Sequence, residues 1–374
     1  MTVGLPAMGG SAIGGGGWGA MAETDAARSL ARMVAGDRLP QALLLTGPAK
    51  VGKAQLAMSL AQALNCLERG SASGEVGGDP CGECRACRRI AEGRYADVET
   101  IAPGGLCRVS DHDHAKLATI EIGICQIRRL EMLAAMNPYE GRRRVLVIDP
   151  ADMLRDDASD ALLKTLEEPP AGVTLVLVTD SPARLSETVR SRCRRIEVTP
   201  LPRAVLSQRL AELDAISAED AETLSRMAHG CAGLALAAIG DGEPIEQRRA
   251  QIADLRRLSA AGVAERLAFA ESLVGRRNDA APARLALESW REWWRDLLRV
   301  RLGVEQGITH EFLRAELEMD APRYQPDEIV AFLLELRRTE ELLRISVGVL
   351  ITLEALMLAM PRPTVARQPV RSAP

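Results

Sequence analysis

Three largely apolar runs stand out in the first two hundred positions: Leu43-Leu44-Leu45, Val145-Leu146-Val147-Ile148 and residues 173–178, where Thr174 is the one polar residue. Short runs of this kind, without polar alternation, predict strands covered on both faces. Residues 98–101 and 195–198 predict two further strands. Between them, apolar residues recur at helical spacing: Leu56, Leu60 and Leu64, then Ile120, Ile124, Ile127 and Leu130, then Leu162, Leu163 and Leu166. Helices are predicted over 26–34, 55–64, 120–136 (stopped by Asn137-Pro138) and 158–168 (ended by Pro169-Pro170). Strands alternating with helices indicate an α/β fold with a parallel sheet. After Pro200-Leu201-Pro202 the strand signals stop. About three short helices fill 203–240, and 246–360 is helical by pattern throughout.

The expected organisation is a disordered N-terminal extension (1–24, glycine-rich over 1–17), an α/β domain (25–200), a small helical lid (201–244), a helical C-terminal domain (245–360) and a disordered tail (361–374). A cysteine-bearing insertion occupies about 66–95, with a flexible Gly/Ser linker at 70–80.

Composition narrows the function. The chain has 374 residues, enough for two or three domains. It is 47% hydrophobic but only 3% aromatic, so its cores must be aliphatic. A net charge of −4 excludes a polybasic nucleic-acid binder and confines any DNA contact to local patches, with 142–144 and 184–195 as candidates. Eight cysteines, four of them clustered, do not resemble a secreted disulfide framework. No Lys or Arg precedes Arg28, which argues against a signal peptide. The apolar stretch 347–360 carries Glu354 and is too short to span a bilayer. The reading is a cytoplasmic protein with no membrane association.

The stretch Gly47-Pro48-Ala49-Lys50-Val51-Gly52-Lys53-Ala54 lies between a predicted strand and a predicted helix. That is the setting of a phosphate-binding P-loop. Gly47 and Gly52 allow the tight turn, backbone N–H groups face an anion, and Lys53 reaches toward the outer phosphates. Ala54 stands where a P-loop carries the magnesium-binding Ser or Thr. Asp149, at the end of the 145–148 strand, supplies the acid of such a site. The residue after it is Pro150, where a hydrolysing site has a glutamate. Both the metal-binding hydroxyl and the catalytic base are therefore missing. Weak nucleotide binding, no binding and hydrolysis all stay open on these residues alone.

Cys81, Cys84 and Cys87 are separated by two residues each, and Cys66 ends the predicted helix after the P-loop. Four such thiolates can enclose a structural zinc ion; free thiols on a helix are the alternative. Cys107, Cys125, Cys193 and Cys231 read as isolated small core residues. Asp111-His112-Asp113-His114 reads as a solvated loop, and His229 and His310 as lone helical residues. Trp290, Trp293 and Trp294, with Leu297 and Leu298, fit one side of a helix and read as core or subunit contact. The basic run Arg190-Ser191-Arg192-Cys193-Arg194-Arg195 is a solvated turn, a phosphate-facing patch or an arginine that completes charge in a neighbouring nucleotide site.

Taken in order, the P-loop, the four cysteines, Ala161-Leu162-Leu163-Lys164-Thr165-Leu166-Glu167-Glu168-Pro169-Pro170 and Ser191-Arg192-Cys193 resemble bacterial clamp-loader subunits of the AAA+ class. Within that class Ala54 and Pro150 resemble the delta-prime branch of DNA polymerase III rather than its ATPases. Thr179 matches the sensor-1 position. Gly230-Cys231-Ala232-Gly233-Leu234-Ala235 resembles the sensor-2 region, with Leu234 in the arginine's place. The resemblance implies an AAA+ domain with a zinc module, a lid and a collar. It implies Arg192 as an arginine finger serving ATP and Mg2+ in a neighbouring ATPase subunit. It also implies assembly with ATPase and delta subunits into a ring that loads a sliding clamp onto primer-template DNA. An ATPase subunit of the same loader and a zinc-bearing nucleic-acid-binding protein are the alternatives.

Overall fold

The structure, a computed structural model, describes residues 18–68, 78–105, 107, 121–212, 216–240, 244–274, 281–304, 306–344 and 348–364. The predicted N-terminal disorder over 1–17, most of the 70–80 linker, the Asp111–His114 loop, Ile120 and the tail from 365 lie outside the described residues. The chain divides into two compact units, one up to Leu236 and one from Ala237 onward.

In the first unit, α1 (Asp25–Ala35) leads into β1 (Ala42–Thr46), α2 (Lys53–Asn65), α3 (Arg85–Ala91), β2 (Val98–Ile101), α4 (Ile124–Ala134), β3 (Arg144–Ile148), α5 (Asp156–Glu167), β4 (Val173–Thr179), α6 (Glu187–Ser191) and β5 (Arg194–Glu197). The five strands form one sheet in the order β2-β3-β4-β1-β5, and every pairing is parallel. This is the α/β sheet that the AAA+ resemblance implies.

Strand alternation sends the apolar runs to two layers. Leu43, Leu45, Val145, Val147, Val176 and Val178 pack with α1 and α2 on one face. Leu44, Leu146, Ile148, Leu175 and Leu177 pack with α4 and α5 on the other. Both faces are covered, which explains why the middles of β1, β3 and β4 are apolar rather than alternating.

Two predicted elements have corrected bounds. The helix predicted over 120–136 begins only at Ile124, because Ile122 is in a β-bridge to Leu154. Its N–H donates to the Met153 carbonyl at 2.7 Å and its carbonyl accepts from Arg155 N–H at 3.1 Å. Gly123 then caps the helix, its N–H donating to Gln126 Oε1 at 3.1 Å. The helix ends at Ala134, ahead of Asn137-Pro138. The last strand is Arg194–Glu197, one residue earlier than expected, and Val198 follows it with a bond to the Thr46 carbonyl at 2.7 Å.

A buried acid fixes the turn before β3. Asp97 is fully buried. It accepts N–H bonds from Tyr139 (2.7 Å), Glu140 (2.8 Å) and Gly141 (2.7 Å), and one from Arg144 Nη2 at 2.9 Å. Burial alone would raise its carboxyl, but these donors outweigh it and hold it below the usual carboxylate range. The same turn reaches the cysteine region. Asn65 Oδ1 accepts from Arg142 N (2.9 Å) and Arg143 N (3.1 Å), and Glu140 pairs with Arg89 at 2.6 Å.

The unit continues with α7 (Arg203–Ala211) and α8 (Ala218–Met227), and α9 (Ala232–Gly240) runs across the division. The second unit holds α10 (Pro244–Ala260), α11 (Val263–Val274), α12 (Ala281–Arg301), α13 (Arg314–Asp320), α14 (Pro326–Arg344) and α15 (Val349–Ala359). Trp290, Trp293, Trp294 and Leu297 are buried in its core, with Leu298 packed partly buried against it. Arg266, also buried, donates to the carbonyls of Leu258 (2.9 Å), Ser259 (2.8 Å), Met357 (3.1 Å) and Met360 (2.8 Å). It thereby ties the ends of α10 and α15, where carbonyls lack helical partners.

The two histidines depart from expectation. His229 is not helical: its φ is +49°. His310 precedes a 3₁₀ turn and is not lone, since its Nδ1 lies 2.9 Å from Asp296 Oδ2 in a fully buried pair.

Candidate functional site

The loop after β1 takes the predicted form. Gly47 and Gly52 turn the backbone at its two ends, with φ of +150° and +113°, and α2 starts at Lys53. Its surroundings leave little room. A Cβ at Gly52 would lie 2.6 Å from Met21 Sδ, and one at Gly233, early in α9, would lie 2.6 Å from the Lys50 carbonyl oxygen. The chain's own residues thus press on the loop from two sides.

Lys53 is buried, and its Nζ donates to the carbonyls of Gly47 (2.8 Å) and Pro48 (2.6 Å) within its own loop. Burial pushes its ammonium below the ordinary lysine value, partly offset by Asp180, Asp149 and Asp152. Burial raises the Asp149 carboxyl, an effect opposed by Lys53 and reinforced by Asp152 and Asp180. Thr179 Oγ1 donates to Asp152 Oδ1 at 2.6 Å and accepts from Ser181 N–H at 2.9 Å. Lys53 and Asp149 therefore share one electrostatic site with Asp152 and Asp180, and Thr179 joins it through Asp152. Three carboxyl groups thus act on the Lys53 ammonium. Asp152, Asp180 and the covering Met21 carried no sequence signal, because they reach the loop from separate parts of the chain.

Arg192 lies elsewhere. It caps the C-terminus of α6 just before β5, and β5 pairs with β1 in the register Leu43 with Arg194. It therefore stands at the N-terminal end of β1, while the P-loop follows the C-terminal end. Leu43 to Thr46 alone separates them by about 10 Å of strand. A cavity of about 460 Å³ opens there, lined by Pro40, Ala42, Glu167, Pro169 and Arg192 among others.

Cys66 caps the C-terminus of α2 and Cys84 the N-terminus of α3. The sulfurs of Cys66, Cys81, Cys84 and Cys87 all lie within 4.8 Å of one another, and Cys81 and Cys87 sulfurs are 3.9 Å apart. A tetrahedral metal with about 2.3 Å bonds to sulfur needs edges of about 3.8 Å, so the donor set fits a four-thiolate ion. Backbone N–H groups already point at three sulfurs: Cys81 N to Cys66 (3.5 Å), Cys84 N to Cys81 (3.2 Å) and Cys87 N to Cys84 (3.5 Å). Burial works against the Cys84 thiolate, but the N–H donors of Cys87 and Leu67 and the neighbouring thiols bring its pKa to about 7. Burial raises the Cys87 thiol.

Of the other cysteines, Cys231 is buried and Cys193 half-buried, its thiol pushed up to about 12 by burial. Cys107 and Cys125 are corrected: both are half-buried and hydrogen-bonded to each other rather than isolated.

A family described as DNA polymerase III, delta subunit, matches residues 22–202. The chain is 32% identical over 265 residues to DNA polymerase III subunit delta' of Pseudomonas aeruginosa, covering 70% of this chain and 72% of the relative. The chain belongs to the DNA polymerase III delta-prime family. The delta-prime relative of Bacillus subtilis is 33% identical over 196 residues, 52% of this chain and 53% of its own length. The chain is also 34% identical over 185 residues to DNA polymerase III subunit tau/gamma of Haemophilus influenzae, 50% of this chain and 24% of that relative. A solved gamma-subunit-related protein of Thermotoga maritima superposes with a TM-score of 0.41 at 18% identity, over 88% of this chain and 97% of that one. No helix among the described residues is long and apolar enough to cross a membrane.

Proposed function

We propose that this chain is a non-hydrolysing, delta-prime-type member of the DNA polymerase III clamp loader. In this reading it assembles in the cytoplasm with ATPase and delta subunits into a ring that places a sliding clamp on primed DNA. Arg192 acts as an arginine finger toward ATP and magnesium held by a neighbouring ATPase subunit. The observation that carries the reading is the separation of the two groups along β1: Arg192 is at the opposite end of the strand from its own P-loop. That separation supports a role toward a nucleotide outside this chain. Three further features support it. Lys53 is engaged by its own loop carbonyls, Ala54 offers no metal ligand, and the acids around Lys53 oppose an incoming phosphate.

The four cysteines hold a structural zinc ion in this proposal. A closed four-thiolate site has no open position for chemistry. Cys66 links it to the end of α2, so the ion would brace the helix whose other end forms the loop. Residues 201–244 form the lid and 245–360 the collar.

The 34% identity to the tau/gamma relative favours one alternative, an ATP-hydrolysing subunit of the same loader. Titration of the purified chain with a fluorescent ATP analogue, with and without magnesium, separates the two. Weak or no binding, insensitive to magnesium, is expected. Tight magnesium-dependent binding would overturn the proposal in favour of the ATPase reading.

A further inference from the structure

Arg192 is engaged within its own chain. Its Nε and Nη2 donate to Glu167 Oε1 at 2.8 and 2.5 Å, and its Nη1 donates to the Thr188 carbonyl at 3.0 Å. All three guanidinium nitrogens therefore have partners. Glu167 is the last residue of α5, and Glu168 follows it. A carboxylate at a helix C-terminus meets the negative end of the helix dipole, so it favours a cation beside it. Thr188 belongs to α6, which also carries Arg192 at its end. The acid on α5 and the carbonyl on α6 hold the guanidinium at the wall of the open cavity beside β1.

The pair is not locked. Its side chains are 35% and 50% exposed, so solvent screens it and the bond is readily exchanged. A phosphate brings more negative charge than a carboxylate and accepts charge-assisted bonds from the same donors.

We propose that Glu167 is a positioning residue, a resident counter-anion that parks Arg192 and that the phosphates of a neighbouring subunit's nucleotide must displace. This rests on the assignment of Arg192 as a cation acting in trans. Glu167 touches no nucleotide; it acts only through Arg192. It keeps the guanidinium extended beside the cavity and sets a threshold for its transfer. Removing its charge lowers that threshold, so the loader becomes more responsive to ATP. A merely structural role for Glu167 predicts the reverse, a poorly placed arginine and a slower enzyme.

The test is steady-state MgATP hydrolysis by the loader assembled from its ATPase, delta and delta-prime-type subunits. This chain is supplied as wild type, Glu167→Gln, Arg192→Ala or the double variant. Gln is nearly isosteric at an exposed position, and thermal melts check that each variant folds. Glu167→Gln is expected to raise kcat/KM by about two- to fivefold, the strength of an exposed ion pair, chiefly through KM. The gain should vanish in the Arg192→Ala background. An unchanged or lower kcat/KM in Glu167→Gln overturns the proposal, as does a gain that persists without Arg192. Both of those results leave the trans role of Arg192 standing if Arg192→Ala alone cuts the rate more than tenfold. Wild-type rates in Arg192→Ala refute that role and the parking with it.

Discussion

Replacing Asp97 by Ala tests how the turn beside the cysteine site is held. The substitution leaves three backbone N–H groups and a buried Arg144 guanidinium, 5% exposed, without their shared acceptor. Breaking a buried ion pair from one side costs about 3–5 kcal/mol. Each N–H left dry could add about 1–3 kcal/mol, but water entering the vacated space offsets much of that. We expect a net loss of about 3–5 kcal/mol, a large share of the roughly 5–15 kcal/mol that holds a typical protein folded. For a unit of this size that corresponds to a melting temperature lowered by roughly 6–20 °C. The pH dependence has a definite sign. Asp97 is depressed in the folded state against about 3.9 in the unfolded chain. Its stabilisation is therefore complete above the unfolded value and is lost as pH falls through the folded one. Wild type should lose stability below about pH 4 more steeply than Asp97→Asn. Thermal and urea melts followed by circular dichroism between pH 3 and 8 measure both effects. A shift under about 2 °C in Asp97→Ala, or parallel pH profiles for wild type and Asp97→Asn, would refute this account of the turn.

Two further outcomes follow from the geometry. For the proposed zinc site, wild type should carry one zinc ion per chain by atomic absorption and Cys81→Ser should carry little or none; full retention in Cys81→Ser, or iron in place of zinc, would contradict the proposed centre. Arg266→Met should destabilise the second unit by at least about 3 kcal/mol in urea melts, since four carbonyls lose a charged donor; a cost below about 1 kcal/mol would show that the staple is dispensable.

The sheet was legible because Leu43, Val145 and Val173 open runs buried on both faces, and that burial pattern is local. The cysteine cluster was legible because three of its members share one short segment; Cys66 could be added because it ends the helix after the P-loop. What the sequence concealed depends on long-range pairing. Asp97 meets Tyr139 and Arg144 across more than forty positions, and neither spacing nor periodicity marks such a partner. Ile122 looked helical because an apolar residue in a bridge and one in a helix are alike one at a time. His310 and Asp296 are fourteen positions apart, beyond the reach of helical periodicity, so their buried pairing went unread. Glu167 was visible as part of a family stretch, but its bond to Arg192 emerges only when α5 and α6 pack together.

In the proposed loader, ATP is spent at a neighbour's site while this chain contributes one guanidinium. The most direct measurement compares Lys53→Met with Arg192→Ala in the assembled loader, each variant carried by this chain alone and ATP turnover followed at saturating MgATP. The account predicts near wild-type turnover for Lys53→Met and at least a tenfold loss for Arg192→Ala, in line with the large contribution of such arginines. The opposite pattern, loss with Lys53→Met and normal turnover with Arg192→Ala, would contradict it.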